Sequence, residues 1–275
     1  MIPDTFETRI DGFYGGRFHL VQPVRTGYRS GLDALLLAAT IDAEARGRLA
    51  DVGAGAGAVG FAAGVRAPAL SIAMIENQPE MAQCARAGLA LAVNEAIAGR
   101  IAVVEADIRA PRAVREAAGL ADGSFDWVVT NPPFYGPDHR PSDDPLRRAA
   151  LNLASDDLLG DWFRSSLALL KDGGRLATIL PPAVLPICLP VLTAQLGGLV
   201  LTPIHARARD PATRLIVTGR KRSRSPLSFL PQRYLFDESG ARSSFSNEVA
   251  NGETMFGWTE HAGRRKQGSP HGWKE

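Results

Sequence analysis

Residues 48–65 read RLADVGAGAGAVGFAAGV, and this stretch decides the fold. An apolar run closes on Asp51, glycines follow at 53, 55 and 57, and an alanine-rich segment comes next. That order describes a short strand, a tight turn and a helix. A backbone passing close beneath a ligand has no room for Cβ atoms, which accounts for Gly53, Gly55 and Gly57. The helix that starts there presents unpaired N–H groups. In parallel sheets, ligands bind in the crevice at the carboxyl ends of the strands. The dinucleotide fingerprint GxGxxG fails from Gly53, because its third glycine would fall at Ala58. From Gly55, with a glycine between, the spacing reaches Gly60, so a nicotinamide cofactor stays open as an alternative.

Working outward, apolar runs and helical periods alternate. ALSIAMIEN ends a second strand at Glu76, PEMAQCARAGLALAVNEA has proline near a first helical turn, and RIAVVEADI ends a third strand at Asp107. Residues 111–119 suit a short helix, and FDWVVT is a fourth strand. DDLLGDWFRSSLALLKDGG opens on aspartates and closes near Gly173, as a capped amphipathic helix does. RLATIL is a fifth strand, and LVLTPIHARA with TRLIVTGRK forms a closing hairpin. Upstream, FHLVQPV suits a short strand, and DALLLAATIDAEA predicts a helix capped by Ser30 or Asp33. The polar stretch 136–155, with prolines 137, 141 and 145, reads as a long loop. The prediction is an α/β fold: a mostly parallel sheet with helices on both faces and an antiparallel hairpin at its end.

Composition fits a folded, soluble chain: 275 residues, 45% hydrophobic and 22% charged, net charge +2. Cys84 and Cys188 sit in apolar surroundings without a CxxC partner, so buried reduced thiols are expected and no metal site. MIPDTFETRI lacks the basic-then-apolar order of a signal peptide, which predicts a cytoplasmic protein. Leu176 to Ile204 carries no charge, but five prolines and two glycines interrupt it, so it reads as core and not as a membrane span. Residues 220–275 hold ten Lys and Arg against six Asp and Glu, a basic tail with solvent or nucleic acid as its partner.

Two acids repeat the position of the glycine turn. Glu76 ends the second strand, where a carboxylate accepts both hydroxyls of a ribose, and Asp107 ends the third, where an adenine amine fits. No lysine or arginine lies between Leu49 and Val65 to meet a bare diphosphate. The three strand ends together describe a ribonucleoside pocket. The fourth strand then runs into Asn131-Pro132-Pro133-Phe134-Tyr135. Two prolines fix φ and remove two N–H donors, leaving the Asn131 side-chain carbonyl and main-chain carbonyls as an array of acceptors. Such an array suits an exocyclic amine, held by both hydrogens with its lone pair aimed at an electrophile. Phe134 and Tyr135 offer flat faces on which an unstacked base can lie.

Asp51–Gly57, Glu76, Asp107 and Asn131–Phe134, in this order, resemble the class I S-adenosylmethionine-dependent methyltransferases that act on amines. FHLVQPVRTGYRSGLDALLLAA resembles the lead-in of the bacterial tRNA1(Val) adenine-N6 methyltransferases, with Gln22, Gly27, Arg29 and Asp33 at the matching places. The resemblance implies a Rossmann-like, seven-stranded domain over 33–219, a covering segment over 1–32 and a partly ordered tail over 220–275. It implies S-adenosyl-L-methionine as cofactor, held by Gln22, Gly27, Arg29, Asp51, Gly53, Gly55, Gly57, Glu76, Asn77, Asp107, Ile108 and Asn131. Asn131, Pro132, Pro133 and Phe134 carry catalysis in this reading, with Phe134 and Tyr135 stacking the target base. The implied substrate is the N6 amine of an exposed adenine in tRNA or another structured RNA, with a monomer favoured. The same signature serves methyltransferases that modify the glutamine amide of release factors. Those usually carry a helical N-terminal domain, for which the residues before Asp33 leave no room.

Overall fold

Alternation along the strands splits the core into two layers, one on each face of a central sheet. The computed structural model describes residues 7–24, 31–133 and 156–259. An antiparallel hairpin of β1 (Thr8–Phe13) and β2 (Phe18–Pro23) comes first, then helix α1 (Leu32–Ala38). Two parallel steps follow: β3 (Arg46–Val52), α2 (Ala58–Arg66), β4 (Ala69–Glu76), α3 (Pro79–Leu89), the short α4 (Glu95–Ala98) and β5 (Ile101–Glu105). Then come α5 (Arg112–Ala117), β6 (Phe125–Thr130), α6 (Asp156–Leu169), β7 (Leu170–Leu180) and α7 (Leu185–Thr193). The hairpin β8 (Leu196–His205) and β9 (Ala212–Lys221) precedes two-residue strands β10 (Ser228–Phe229) and β11 (Arg233–Tyr234), and α8 (Ser244–Asn251) follows.

Seven principal strands lie in the order β8-β9-β7-β6-β3-β4-β5, and β10 and β11 extend the β8 edge to give nine. Strands β3 to β7 pair in parallel; β9 runs antiparallel to both β7 and β8. Leu49, Trp127, Val129, Ile179 and Ile216 face one layer with α1 and α2. Their neighbours Ala50, Val128, Leu180, Leu215 and Val217 face the other with α6 and α7. This period of two is what a sheet covered on both sides requires. The charge-free stretch 176–204 forms the end of β7, α7 and most of β8, and no described helix is long and apolar enough to cross a membrane. Cys84 and Cys188 are free and buried.

Helix α1 stops at Ala38, short of the predicted Ala45. The Thr40 hydroxyl donates to the Leu37 carbonyl, and Asp42 accepts from the Glu44 N–H, so side chains take up the backbone groups a longer helix needs. Its N-terminal residue is Gly31 without a side-chain cap; Asp33 sits in the first turn and pairs with Arg214 at 2.9 Å, while Ser30 lies outside the described residues. The predicted loop 136–155 also lies outside them. The described residues beyond β9 fold back on the body. Trp258 donates from Nε1 to the Thr40 carbonyl at 2.8 Å and meets Trp127 edge-on, 5.9 Å between centroids.

Beside the packing of Phe18, Leu20 and Val21, a buried asparagine hydrogen-bonds the hairpin β1–β2 to the body. Asn94 donates to the carbonyls of His19 and Gly88, both at 2.7 Å, and accepts from the His19 N–H at 3.0 Å. Asn94→Ala leaves the His19 N–H and carbonyl without this partner, while the Gly88 carbonyl keeps the Leu91 N–H at 3.1 Å. The expected loss is about 2–3 kcal/mol of unfolding free energy, since an unsatisfied buried group costs about 1–3 kcal/mol. Urea denaturation of the two proteins measures it; a loss near zero contradicts the anchoring role.

Candidate functional site

The glycine turn is held by the end of β4. Gly53 and Ala54 donate to the Ile75 carbonyl of β4 at 2.9 and 3.0 Å, and Gly55 donates to Glu76 Oε2 at 2.8 Å. Gly53 has φ +73° and Gly57 φ +94°, left-handed values that L side chains rarely adopt. Space forbids them as well. A Cβ on Gly53 meets ring carbons of Trp162 at 2.8 Å, and one on Gly57 meets Met74 Sδ at 2.7 Å. Gly57 is also the N-terminal boundary residue of α2.

Two buried carboxylates stand behind this turn. Asp51 is 1% exposed, and its Oδ2 accepts from the Gly60 N–H at 2.9 Å, which caps the first turn of α2 from β3. Burial raises its pKa to about 7; the Gly60 bond opposes the rise and the charge of Glu76 adds to it. Glu76 is likewise raised by burial, against hydrogen bonds from the backbone of Gln78, Gly55 and Asn77. Its Oε1 takes the Gln78 N–H at 2.8 Å while Oε2 takes Gly55. Each carboxylate therefore answers a backbone donor, as burial of a charge demands.

The remaining cofactor candidates spread around this centre. Asp107 lies just past β5, its side chain 37% exposed and paired with Arg109 at 3.0 Å. Partial burial works to raise this carboxyl, but the side-chain and backbone bonds from Arg109 and its charge hold it below the usual range. Ile108 is buried in the same apolar cluster as Val52 and Ile75. Asn77 is exposed beside Glu76. Gln22 is buried on β2 and donates to Asp11 Oδ2 at 2.8 Å across the hairpin. Its neighbour Val21 packs with Ala56 of the glycine turn and with Met81, Cys84 and Ala87 of α3. Gly27, Arg29, Phe134 and Tyr135 lie outside the described residues.

Asn131, Pro132 and Pro133 leave the carboxyl end of β6, with Pro132 buried and its two neighbours half-buried. Because β6 pairs with β3, Thr130 lies opposite Val52, and the proline segment and the glycine turn emerge side by side. Sequence reasoning passed over the side chains that join them. The Thr130 hydroxyl donates to the Val52 carbonyl at 2.8 Å and accepts from Trp162 Nε1–H at 3.0 Å. One signal for Trp162 was present: Leu159, Trp162, Phe163 and Leu167 form an apolar stripe on α6, and a buried indole needs a partner for its N–H. Among the described residues, no group of three or more His, Cys, Asp or Glu is placed to hold a metal ion.

Residues 30–181 match the model of the methyltransferase small domain. The chain is 28% identical over 213 residues to a tRNA1(Val) (adenine(37)-N6)-methyltransferase of Aeromonas hydrophila, covering 76% of this chain and 83% of that one. A crystal structure of a predicted O-methyltransferase from Agrobacterium tumefaciens is 33% identical, with TM-score 0.70 over 82% of this chain and 98% of that one. M. jannaschii TYW2, solved in complex with AdoMet, shares the fold at 13% identity and TM-score 0.51, over 80% of this chain and 88% of that one.

The Asp51 carboxyl gives the site a pH signature. Its folded pKa, about 7, lies above the value near 4 of an unfolded aspartate. Between these values the unfolded chain sheds this proton and the folded one keeps it, so rising pH favours unfolding until about pH 7. Asp51→Asn keeps an oxygen for the Gly60 N–H and removes the titration. Melting temperatures without cofactor are expected to move in favour of the variant from pH 4.5 to 7.5. A constant difference across that range sinks the assignment.

Proposed function

The chain belongs to the methyltransferase small domain family, and we propose that it transfers a methyl group from S-adenosylmethionine to the N6 amine of an adenine in RNA, with tRNA as the first candidate. The observation that carries this reading is the adjacency of β6 and β3, which sets Asn131-Pro132-Pro133 beside the glycine turn. S-adenosylmethionine is the cofactor, and when bound it supplies an electrophilic methyl on a sulfonium. The residues present fit it. Glycine backbone makes room, Glu76 closes the second strand as a carboxylate, and no cationic side chain between Leu49 and Val65 repels the sulfonium.

In this reading Glu76 receives the ribose hydroxyls, exchanging the Gly55 N–H for them in part, and Asp107 with Ile108 borders the cofactor's adenine. Gln22, with Gly27 and Arg29, covers the methionine end. Asn131 and the carbonyls beside it hold both hydrogens of the target amine, and Pro132 and Pro133 keep that array rigid. Positive charge builds on the amine nitrogen as the methyl arrives, and the surrounding acceptors stabilise it. An oxygen acceptor, by contrast, has to lose its proton to a base. The 28% identity to a tRNA adenine-N6 methyltransferase supports RNA over protein as substrate. Adenines in unpaired loops suit it best, because unstacking costs least there.

The test is incubation of the protein with labelled S-adenosylmethionine and total tRNA, or with release factors, followed by mass spectrometry of nucleosides and peptides. N6-methyladenosine is the expected product. Asn131→Ala is expected to lower kcat at least 100-fold, about 2.7 kcal/mol or more in barrier. Calorimetry is expected to find its cofactor affinity within about threefold of the original. Methyl incorporation into a glutamine amide alone overturns the RNA reading, and unchanged turnover of the variant overturns the cradle.

A further inference from the structure

We infer that Trp162 is a positioning residue which sets the spacing between the cofactor loop and the amine cradle; the inference rests on the methyl-transfer reading above. The indole sits on α6, a helix that carries none of the residues assigned to the cofactor or the target amine. Its Nε1–H donates to Thr130 Oγ1 at 3.0 Å, and Thr130 passes its own proton to the Val52 carbonyl at 2.8 Å. Thr130 is the residue before Asn131, and Val52 is the residue before Gly53. The two bonds therefore tie the last residue of β6 to the last residue of β3, at the points where the cradle and the glycine turn begin.

The other end of the same ring touches the turn itself. Trp162 Cζ2 and Cη2 fill the space that a Cβ on Gly53 needs, at 2.8 and 2.9 Å. One side chain thus borders the cofactor loop by packing and the cradle by a hydrogen bond. All three partners are shut off from water: Trp162 is 7% exposed, and Thr130 and Val52 are 0%. A threonine hydroxyl has one proton to give. With the indole donating to its oxygen, that proton goes to Val52, and the Thr130 rotamer is fixed. Interior packing transmits such a constraint with little slack. Displacements of about 1 Å at reacting atoms can cost about 100-fold in rate, so the geometry of this triangle bears on kcat more than on binding.

A buried tryptophan with a satisfied N–H also has a merely structural use, and the experiment separates the two. Trp162→Phe removes the N–H and the Cζ2 and Cη2 atoms. Kinetics are run well below the melting point, where circular dichroism shows both proteins folded. The expected result is a kcat reduced tenfold or more, with substrate KM and cofactor Kd within about threefold. Thr130→Ser keeps both bonds and is expected to stay near the original kcat. Thr130→Val breaks both, and the double variant with Trp162→Phe is expected to lose less than the sum of the two single losses, since the two share the Trp162–Thr130 bond. A Trp162→Phe kcat within twofold of the original, or fully additive losses, overturns the inference. If the original protein methylates release factors and not RNA, the RNA reading fails, and the same kcat comparison on that substrate still decides the role of Trp162.

Discussion

Parallel pairing of β3 with β6 is the constraint from which the site follows. The register runs from Leu49 opposite Trp127 to Val52 opposite Thr130. From β3 the chain steps outward through β4 to β5, then returns to lay β6 on the other side of β3. Helix α2 packs on one face of the sheet, while α6 and α7 pack on the other. In open parallel sheets, ligands bind at the carboxyl ends of the strands where the strand order reverses, in the crevice between the diverging helices. Both chemically distinctive segments, Gly53–Gly57 and Asn131–Pro133, leave the sheet at that crevice. Had β6 paired elsewhere, the same motifs would sit apart and do nothing together.

The turn is held in shape by charges turned inward. Asp51 answers Gly60, and Glu76 answers Gly55 and Gln78. Burying two acids near each other costs stability, as the raised pKa values of both express. What is obtained is a loop with its backbone donors already oriented before any ligand arrives. Preorganisation of this kind lowers the entropy cost of binding. The Glu76 carboxylate is spent on the loop backbone in this state, so in the proposed reading its recognition of a ribose is an exchange of partners.

Much of the architecture was legible because the relevant signals are local. Apolar runs ending in Asp51, Glu76 and Thr130 set the strands, and glycines at 53, 55 and 57 set the turn between β3 and α2. The mostly parallel sheet and its closing antiparallel hairpin appear as periodicity implied, and the seven principal strands as the resemblance implied. What escaped depends on long-range partners. The early end of α1 depends on Thr40 and Asp42 turning their side chains onto the backbone, a competition that periodicity does not register. Asn94 falls inside the helix predicted over 79–96, which ends at Leu89, and its role stays hidden until His19, 75 positions away, is brought beside it. Trp162 looks like one more apolar residue on an amphipathic helix, because its partner Thr130 lies on a different element.

The charge pattern of the crevice narrows its chemistry further. Asp51 and Glu76 lie behind the turn, Arg109 is committed to Asp107, and the proline segment contributes carbonyls without N–H groups. A ligand rich in phosphate meets carboxylates and carbonyl dipoles there, and gains only from the backbone of α2's first turn. A cofactor carrying a sulfonium gains from the same field. In the proposed reaction the benefit would extend to the acceptor, since the carbonyls beside Asn131 would stabilise positive charge arriving on the amine nitrogen from sulfur. An environment arranged for cations favours both ends of that path, and the resulting ammonium gives up its proton to water without a dedicated base. This is why the proposed reaction needs no histidine or lysine beside Asn131, and why rigidity, supplied by two prolines and by the bonds through Thr130, takes the place of a catalytic base.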